Sequence, residues 1–180
     1  MTRPSLLIDH LETPIGRLAI VADEDGRLHA AGFTEGHERM ERLLRAFTRT
    51  PSANPGGLTD ALRAYFAGDL GAIDDLPVAC IGTEFQRAVW RALREIPCGE
   101  TRSYAELARG IGNPAAVRAV GLANGANPIN VVVPCHRLIG SNGSLTGYGG
   151  GLERKRWLLA HELAGSLNRA CDRSTASRGR

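Results

Sequence analysis

At 180 residues with 43% hydrophobic content, the chain has enough apolar side chains for one domain or two small ones, which excludes a disordered polymer. No run approaches bilayer-spanning length, and Leu6-Leu7-Ile8 is followed at once by Asp9 and Glu12, too short and too charged for a secretory leader, so the expected compartment is the cytoplasm, with no membrane partner. The net charge of +3 conceals a split: residues 1–80 carry 8 Arg against 12 acids and residues 81–180 carry 13 Arg and 1 Lys against 7 acids, so a polyanion docks on the second part unless these arginines form an ordinary solvated surface.

The first stretch reads as an antiparallel meander with strands near 5–12, 16–23 and 27–33, broken by the turn sequences Thr13-Pro14-Ile15-Gly16 and Asp23-Glu24-Asp25-Gly26. A charged amphipathic helix is predicted around His37 to Phe47. A loop from Thr50 to Gly57 follows, then a short helix from about Thr59 to Ala67 ending at Gly68. Residues 69–82 read as connector, so the predicted boundary separates an N-terminal sheet and helix domain, 1–80, from a second domain, 81–165.

Beyond the boundary the helix starts are well marked. Thr83-Glu84-Phe85-Gln86 has the capping-box pattern and opens a helix carrying Phe85, Val89, Trp90 and Leu93 that stops at Pro97 and Gly99. Ser103-Tyr104-Ala105-Glu106 repeats the box for a helix ending at Gly110 or Gly112. Asn113-Pro114 predicts an N-cap with proline at the first helical position, opening a third helix to about Asn124. The last two, joined by Gly110-Ile111-Gly112-Asn113, make a helix-turn-helix, a hairpin also found in proteins that never touch DNA. A final helix is predicted from about Leu152 to Leu163. The basic tail, 166–180, reads as disordered. The expected fold class is α+β, an N-terminal antiparallel sheet with flanking helices followed by a mostly helical domain.

Cys80, Cys98, Cys135 and Cys171 show no close pairing and form no ligand-like sets with His10, His29, His37, His136 or His161, so free thiols and no metal are expected. Cys135 and His136 follow the apolar run Val131-Val132-Val133-Pro134. Proline favours a turn there, and adjacent residues in a tight turn can share a site, whereas in a strand they point apart. A thiol acts as a nucleophile only as thiolate and needs a base beside it. Inert core packing is the alternative. On the last helix, positions 155, 158, 159 and 162 share a face, so Lys155 and Glu162 flank Leu158 and Leu159 on the side that packs inward. A buried carboxylate there needs a partner, and an imidazole would serve both; a satisfied core ion pair or an exposed Glu are the competing readings. Lys155 is the only lysine beside 21 arginines. In the third helix Arg118 is the one long polar side chain among alanines and glycine, a surface that can approach nucleic acid closely, or simply pack on a neighbour.

Taken together, Pro134-Cys135-His136-Arg137, Asn127-Pro128, Arg118-Ala119-Val120-Gly121, Ser103-Tyr104, Gly147-Tyr148 and Lys155 through Trp157-Leu158-Leu159 to Glu162 resemble the O6-alkylguanine-DNA alkyltransferase family, in register from about Gly82 to Glu162. The N-terminal part matches more loosely, Asn54-Pro55-Gly56-Gly57-Leu58 and Ala64-Tyr65-Phe66-Ala67-Gly68 looking like the bacterial constitutive branch. The resemblance implies that Cys135 accepts the alkyl group from O6-alkylguanine in double-stranded DNA, once per molecule and without a cofactor. It implies that His136 takes the thiol proton through a water, that Glu162 orients the imidazole and that Asn127 shapes the turn. Tyr104 would push on a phosphate and help protonate the leaving guanine; Arg118 would fill the gap left by a flipped base, with Ala119, Gly121 and Ser103 lying against DNA. Tyr148 would wall the pocket. Gly149 and Asn130 depart from the family pattern, which predicts a roomier pocket that accepts groups larger than methyl. The protein is expected to be a monomer, with cooperation between copies on DNA left open, as is action on O4-methylthymine. Two rivals stand beside this reading: a non-catalytic binder of alkylated DNA, which Cys135 argues against, and a Cys-His hydrolase or acyltransferase, which would leave the Arg118 helix unexplained.

Overall fold

The computed structural model describes residues 5–34, 45 and 47–176, with side chains up to residue 167. Strands β1 (Ser5–Thr13), β2 (Gly16–Ala22) and β3 (Leu28–Phe33) form the predicted meander. Alternate residues of this sheet serve two faces: Leu18, Ile20, Ala22 and Ala31 enter the main core, while Ala19, Val21 and Ala30 join Leu6 in a smaller cluster behind it.

The sheet order is β3-β2-β1-β4, and β4 (Thr48–Pro51) lies parallel to β1. The sheet is therefore mixed rather than purely antiparallel, and Thr50-Pro51, expected in a loop, belong to a strand. Pro51 is tolerated because β4 is a four-residue edge strand. The helix expected around His37 to Phe47 falls, apart from its end, outside the described residues. Helix α1 (Leu58–Phe66) lays Leu58, Leu62 and Tyr65 inward, the spacing of one helix face. Asp9 of β1 ties its start down, accepting from the Asn54 amide at 2.8 Å and the Thr59 hydroxyl at 2.7 Å.

Helix α2 (Glu84–Arg94) opens on the predicted reciprocal cap between Thr83 and Gln86, and α3 (Tyr104–Gly110) on the one between Ser103 and Glu106. The third predicted helix starts later than expected. Pro114–Ala116 is a 3-10 turn, α4 runs Val117–Gly125, and the Asn113 side chain caps nothing. The Asn113 backbone instead finishes α3: its amide donates to the Ala108 carbonyl at 2.9 Å and that of Gly112, at φ +76°, to Arg109 at 3.0 Å. This double closure needs the left-handed glycine, while the Asn113 carbonyl accepts from the Ala116 amide at 3.0 Å and so opens the 3-10 turn, with Pro114 at its first position as predicted.

A short parallel pair joins β5 (Arg102–Ser103) to β6 (Leu138–Ile139). Helix α5 spans Leu152–Ala176 and does not stop near Leu163, so the residues up to Ala176 that were read as a disordered tail are helical. Gly165 is a close-approach position: a Cβ there would lie 2.6 Å from Leu70. Ser166 bonds the Glu162 carbonyl one turn back at 2.8 Å and the Cys98 carbonyl at 3.1 Å. One continuous core includes Leu18 and Phe33 of the sheet, Tyr65 of α1, Leu93 of α2 and Leu158 of α5. Among the described residues no helix is long and apolar enough to cross a membrane.

Candidate active site

The segment between α4 and β6 is held from both sides. Asn127 spans it, donating its side-chain nitrogen to the carbonyls of Val133 at 2.8 Å and Ile129 at 3.3 Å and accepting from the Ile129 amide at 2.9 Å. Strand β3 grips its outer edge: Ala31 donates to the Pro128 carbonyl at 3.0 Å and accepts from the Asn130 amide at 2.8 Å. So clamped, Val131 sits at φ +73° although it is β-branched and wholly buried, a conformation such a residue does not keep unaided. The chain then turns at Pro134 into a 3-10 turn, Cys135–Arg137, with all three side chains buried. A tight turn, not a strand, carries the thiol and imidazole, so both belong to one site.

Cys135 is 3% exposed, and burial pushes its thiol up to about 11, against the pull of the Lys155 ammonium. Its Sγ lies 3.5 Å from the Asn130 side-chain oxygen. At neutral pH the resting group is the thiol, so chemistry at sulfur requires a base. His136 is fully buried, and its Nε2 lies 2.8 Å from Glu162 Oε1. Glu162 is held well below the usual carboxylate range by His136 and Arg137, against the opposing effect of burial, so it only accepts. The Nε2 atom must then carry the hydrogen, leaving Nδ1 as a lone pair; that atom is buried with no partner among the described residues. Burial also lowers the proton affinity of the imidazole, which keeps it neutral. A buried, unpartnered ring nitrogen is a place for a bridging water or a proton.

Glu162 is the hub of the site. Besides His136 it accepts from Tyr65 Oη at 2.8 Å, from Arg137 Nε and Nη2 at 2.9 Å each, and from the Gly99 amide at 3.4 Å. Arg137 also donates to the Ile96 carbonyl and to Cys98 Sγ. The fork-on-carboxylate geometry satisfies both charges in a buried position. Lys155, fully buried two turns before Glu162 on the same face of α5, donates to the carbonyls of Leu138 and Thr146. Burial draws its ammonium down to about 8.

The structure places the predicted residues in two groups. Cys135, His136, Glu162, Asn127 and Asn130 share the buried site, with Tyr148 beside it, edge-on to the His136 ring at 6.4 Å. The Tyr148 hydroxyl is buried without a partner among the described residues. Gly149 opens onto free space, whereas a Cβ on Gly150 would strike Tyr148 at 2.7 Å and Phe33 at 3.3 Å. The second group lies outside. Arg118 and Ala119 are exposed on α4. Gly121 faces the Tyr104 ring, which a Cβ there would meet at an ordinary contact distance of 3.9 Å, and the Tyr104 hydroxyl donates to the Thr146 carbonyl at 3.4 Å. Ser103 is engaged as the cap of α3. Sequence reasoning missed Tyr65 and assigned no role to Arg137; nothing local marks Tyr65, whose partner lies 97 residues away. Among the described residues no three His, Cys, Asp or Glu side chains are grouped to hold a metal.

Fold and site together define a class: an α+β protein presenting a buried thiol beside an imidazole–carboxylate pair, with an exposed arginine on a short helix of the same half. The comparisons with known proteins go further. A family model described as "6-O-methylguanine DNA methyltransferase, DNA binding domain" matches residues 84–164, and one for the ribonuclease-like domain of the same proteins matches residues 6–80. A methylated-DNA–protein-cysteine methyltransferase of Salmonella typhimurium is 54% identical over 163 residues, covering 87% of this chain and 95% of its own. That of Mycobacterium bovis is 58% identical over 162 residues, covering 84% and 89%. The crystal structure of Mycobacterium tuberculosis O6-methylguanine methyltransferase is 46% identical, covers 88% of this chain and 93% of its own and superposes with a TM-score of 0.76; a structure of that protein in complex with DNA gives the same score. The chain belongs to the 6-O-methylguanine DNA methyltransferase family.

Proposed function

We propose that Cys135 is the acceptor in the reaction this family membership confers, direct-reversal DNA repair by alkyl transfer to a protein cysteine, and that its substrate is O6-alkylguanine in duplex DNA. The chain is then a methylated-DNA–protein-cysteine S-methyltransferase. The observation that carries the assignment of roles is the buried, unpartnered Nδ1 of His136, in a ring whose other nitrogen is committed to Glu162. In this reading Nδ1 receives the Cys135 proton through a water, and Glu162 fixes the tautomer and supports the imidazolium. Sulfur attacks the alkyl carbon, the S–C bond forms as the C–O6 bond breaks, and the electron pair leaves on guanine, which regains a proton with help from Tyr104. Asn127 holds the turn, and Tyr148 and Gly149 bound the pocket.

The alkyl group lies within the base stack, so the nucleotide is flipped into the site at a cost of a few kcal/mol. Arg118 occupies the vacated space, while α3 and α4 act as a helix-turn-helix with Ser103, Ala119 and Gly121 against the backbone. Residues 81–165 form the DNA-binding acceptor domain and 1–80 its support. The product is a methyl thioether, in which water has no carbonyl to attack and thiolate is a poor leaving group from sp3 carbon. Each monomer therefore acts once.

The test is to incubate the full chain with duplex containing O6-methylguanine and map mass by peptide. One methyl on the Cys135 peptide, at no more than one per protein, is expected. An unmodified Cys135 with tight binding points to a non-catalytic binder, and repeated turnover rules out the single-use mechanism.

A further inference from the structure

We infer that Tyr65, contributed by the N-terminal half, is a positioning residue for the transfer reaction: its hydroxyl on Glu162 restrains how strongly that carboxylate supports a proton on His136. The inference rests on the reading of His136 as the base. Oε1 of Glu162 receives three donors at once, Tyr65 Oη and His136 Nε2 at 2.8 Å and Arg137 Nη2 at 2.9 Å. Oε2 receives Arg137 Nε at 2.9 Å and the Gly99 amide at 3.4 Å. In a buried site of low polarity these donors share one negative charge. Whatever Tyr65 and Arg137 withdraw from Oε1 is lost to the imidazolium, so each of them favours the neutral imidazole that a base requires.

The Tyr65 hydroxyl is placed for this task alone. Its residue is fully buried, and among the described residues the hydroxyl donates only to Glu162. Burial and the Glu162 charge push the phenol far above its ordinary range, so it remains a donor throughout the working pH range. Edge contacts to Phe66 and His161, both at 5.3 Å between ring centres, fix the ring, and His161 bonds the Tyr65 carbonyl at 2.8 Å. The other groups facing the His136–Glu162 pair come from the second half of the chain. They are Arg137 and Cys135 of the turn, Lys155 of α5, Tyr148 of the pocket wall and Cys98, whose thiol burial pushes up to about 12. Tyr65 is thus the one route, among these groups, by which the N-terminal half reaches the base.

The experiment is the pH profile of single-turnover methyl transfer from duplex containing O6-methylguanine, with the full chain and its Tyr65→Phe variant. Phenylalanine keeps the ring and deletes the donor, so the acid limb moves to higher pH by about half a unit or more. A purely structural defect lowers the plateau and the melting temperature and leaves the limb in place, which overturns the proposal. Site-specific 3,5-difluorotyrosine at position 65, a more acidic donor of nearly the same shape, moves the limb the opposite way. A folding loss cannot produce that shift, and an unmoved limb there also overturns the proposal. His136→Gln separates the two layers: an acid limb that survives it removes His136 as the base, whereas a limb that goes with His136 but ignores both changes at Tyr65 removes only the role of Tyr65.

Discussion

Asn130 joins the two halves of the chain at the acceptor: its amide donates to the Ala31 carbonyl of β3 at 2.8 Å, and its side-chain oxygen lies 3.5 Å from Cys135 Sγ. The edge of the N-terminal sheet therefore sets the position of the reactive turn as directly as Asn127 does from within. Asn130→Pro deletes that donor while the Ala31 carbonyl stays buried, which costs about 1–3 kcal/mol. Equilibrium denaturation should show this loss together with slower methyl transfer, and an unchanged stability would mean the seam contributes nothing.

Glu162→Gln preserves shape but leaves the Arg137 guanidinium, 4% exposed, without a counter-charge. Removing one partner of a buried pair costs about 3–5 kcal/mol, read as a lower denaturant midpoint.

The same carboxylate gives the protein a pH signature. Its folded pKa is depressed below the unfolded value, so the unfolded chain binds the proton first as pH falls. The stabilisation is complete above the ordinary glutamate range, near pH 5, and drains away as pH drops toward 2 and below. Wild-type stability should fall steeply across that window, and Glu162→Gln should flatten the slope; parallel slopes in the two proteins would contradict the assignment.

Arg118 is exposed, and no hydrogen bond or ion pair engages its side chain among the described residues. Arg118→Ala should leave the stability within about 0.5 kcal/mol. Transfer from duplex should fall by tenfold or more while transfer from the free modified base is nearly kept. Equal losses on both substrates would remove the role in filling the duplex.

In the proposed reading Gly149 borders the pocket, and a Cβ there would meet nothing within 4 Å, so alkyl groups larger than methyl should be accepted. Transfer from O6-benzylguanine should be readily measurable, and Gly149→Trp should reduce it far more than methyl transfer. Slow or absent benzyl transfer by the unaltered chain would sink the idea.

What the sequence determined by itself is what its neighbours could complete. The caps at Thr83–Gln86 and Ser103–Glu106 close over three residues, Pro134 turns the chain at Cys135, and the α5 face carrying Lys155, Leu158 and Glu162 follows from helical spacing alone. Tertiary structure decided whatever depended on a distant partner. Thr48–Pro51 became a strand because β1 offered an edge, and Gly165 became a helical contact because Leu70 lies against it. The acceptor site divides along the same line. Cys135, His136 and Glu162 are legible as residue types in a pattern, but the charge on Glu162 is held by contact with His136 and Arg137, and the tautomer of His136 follows from that charge. Proton affinity in a dry interior is set by donors at hydrogen-bond distance, and separation along the chain does not record that distance.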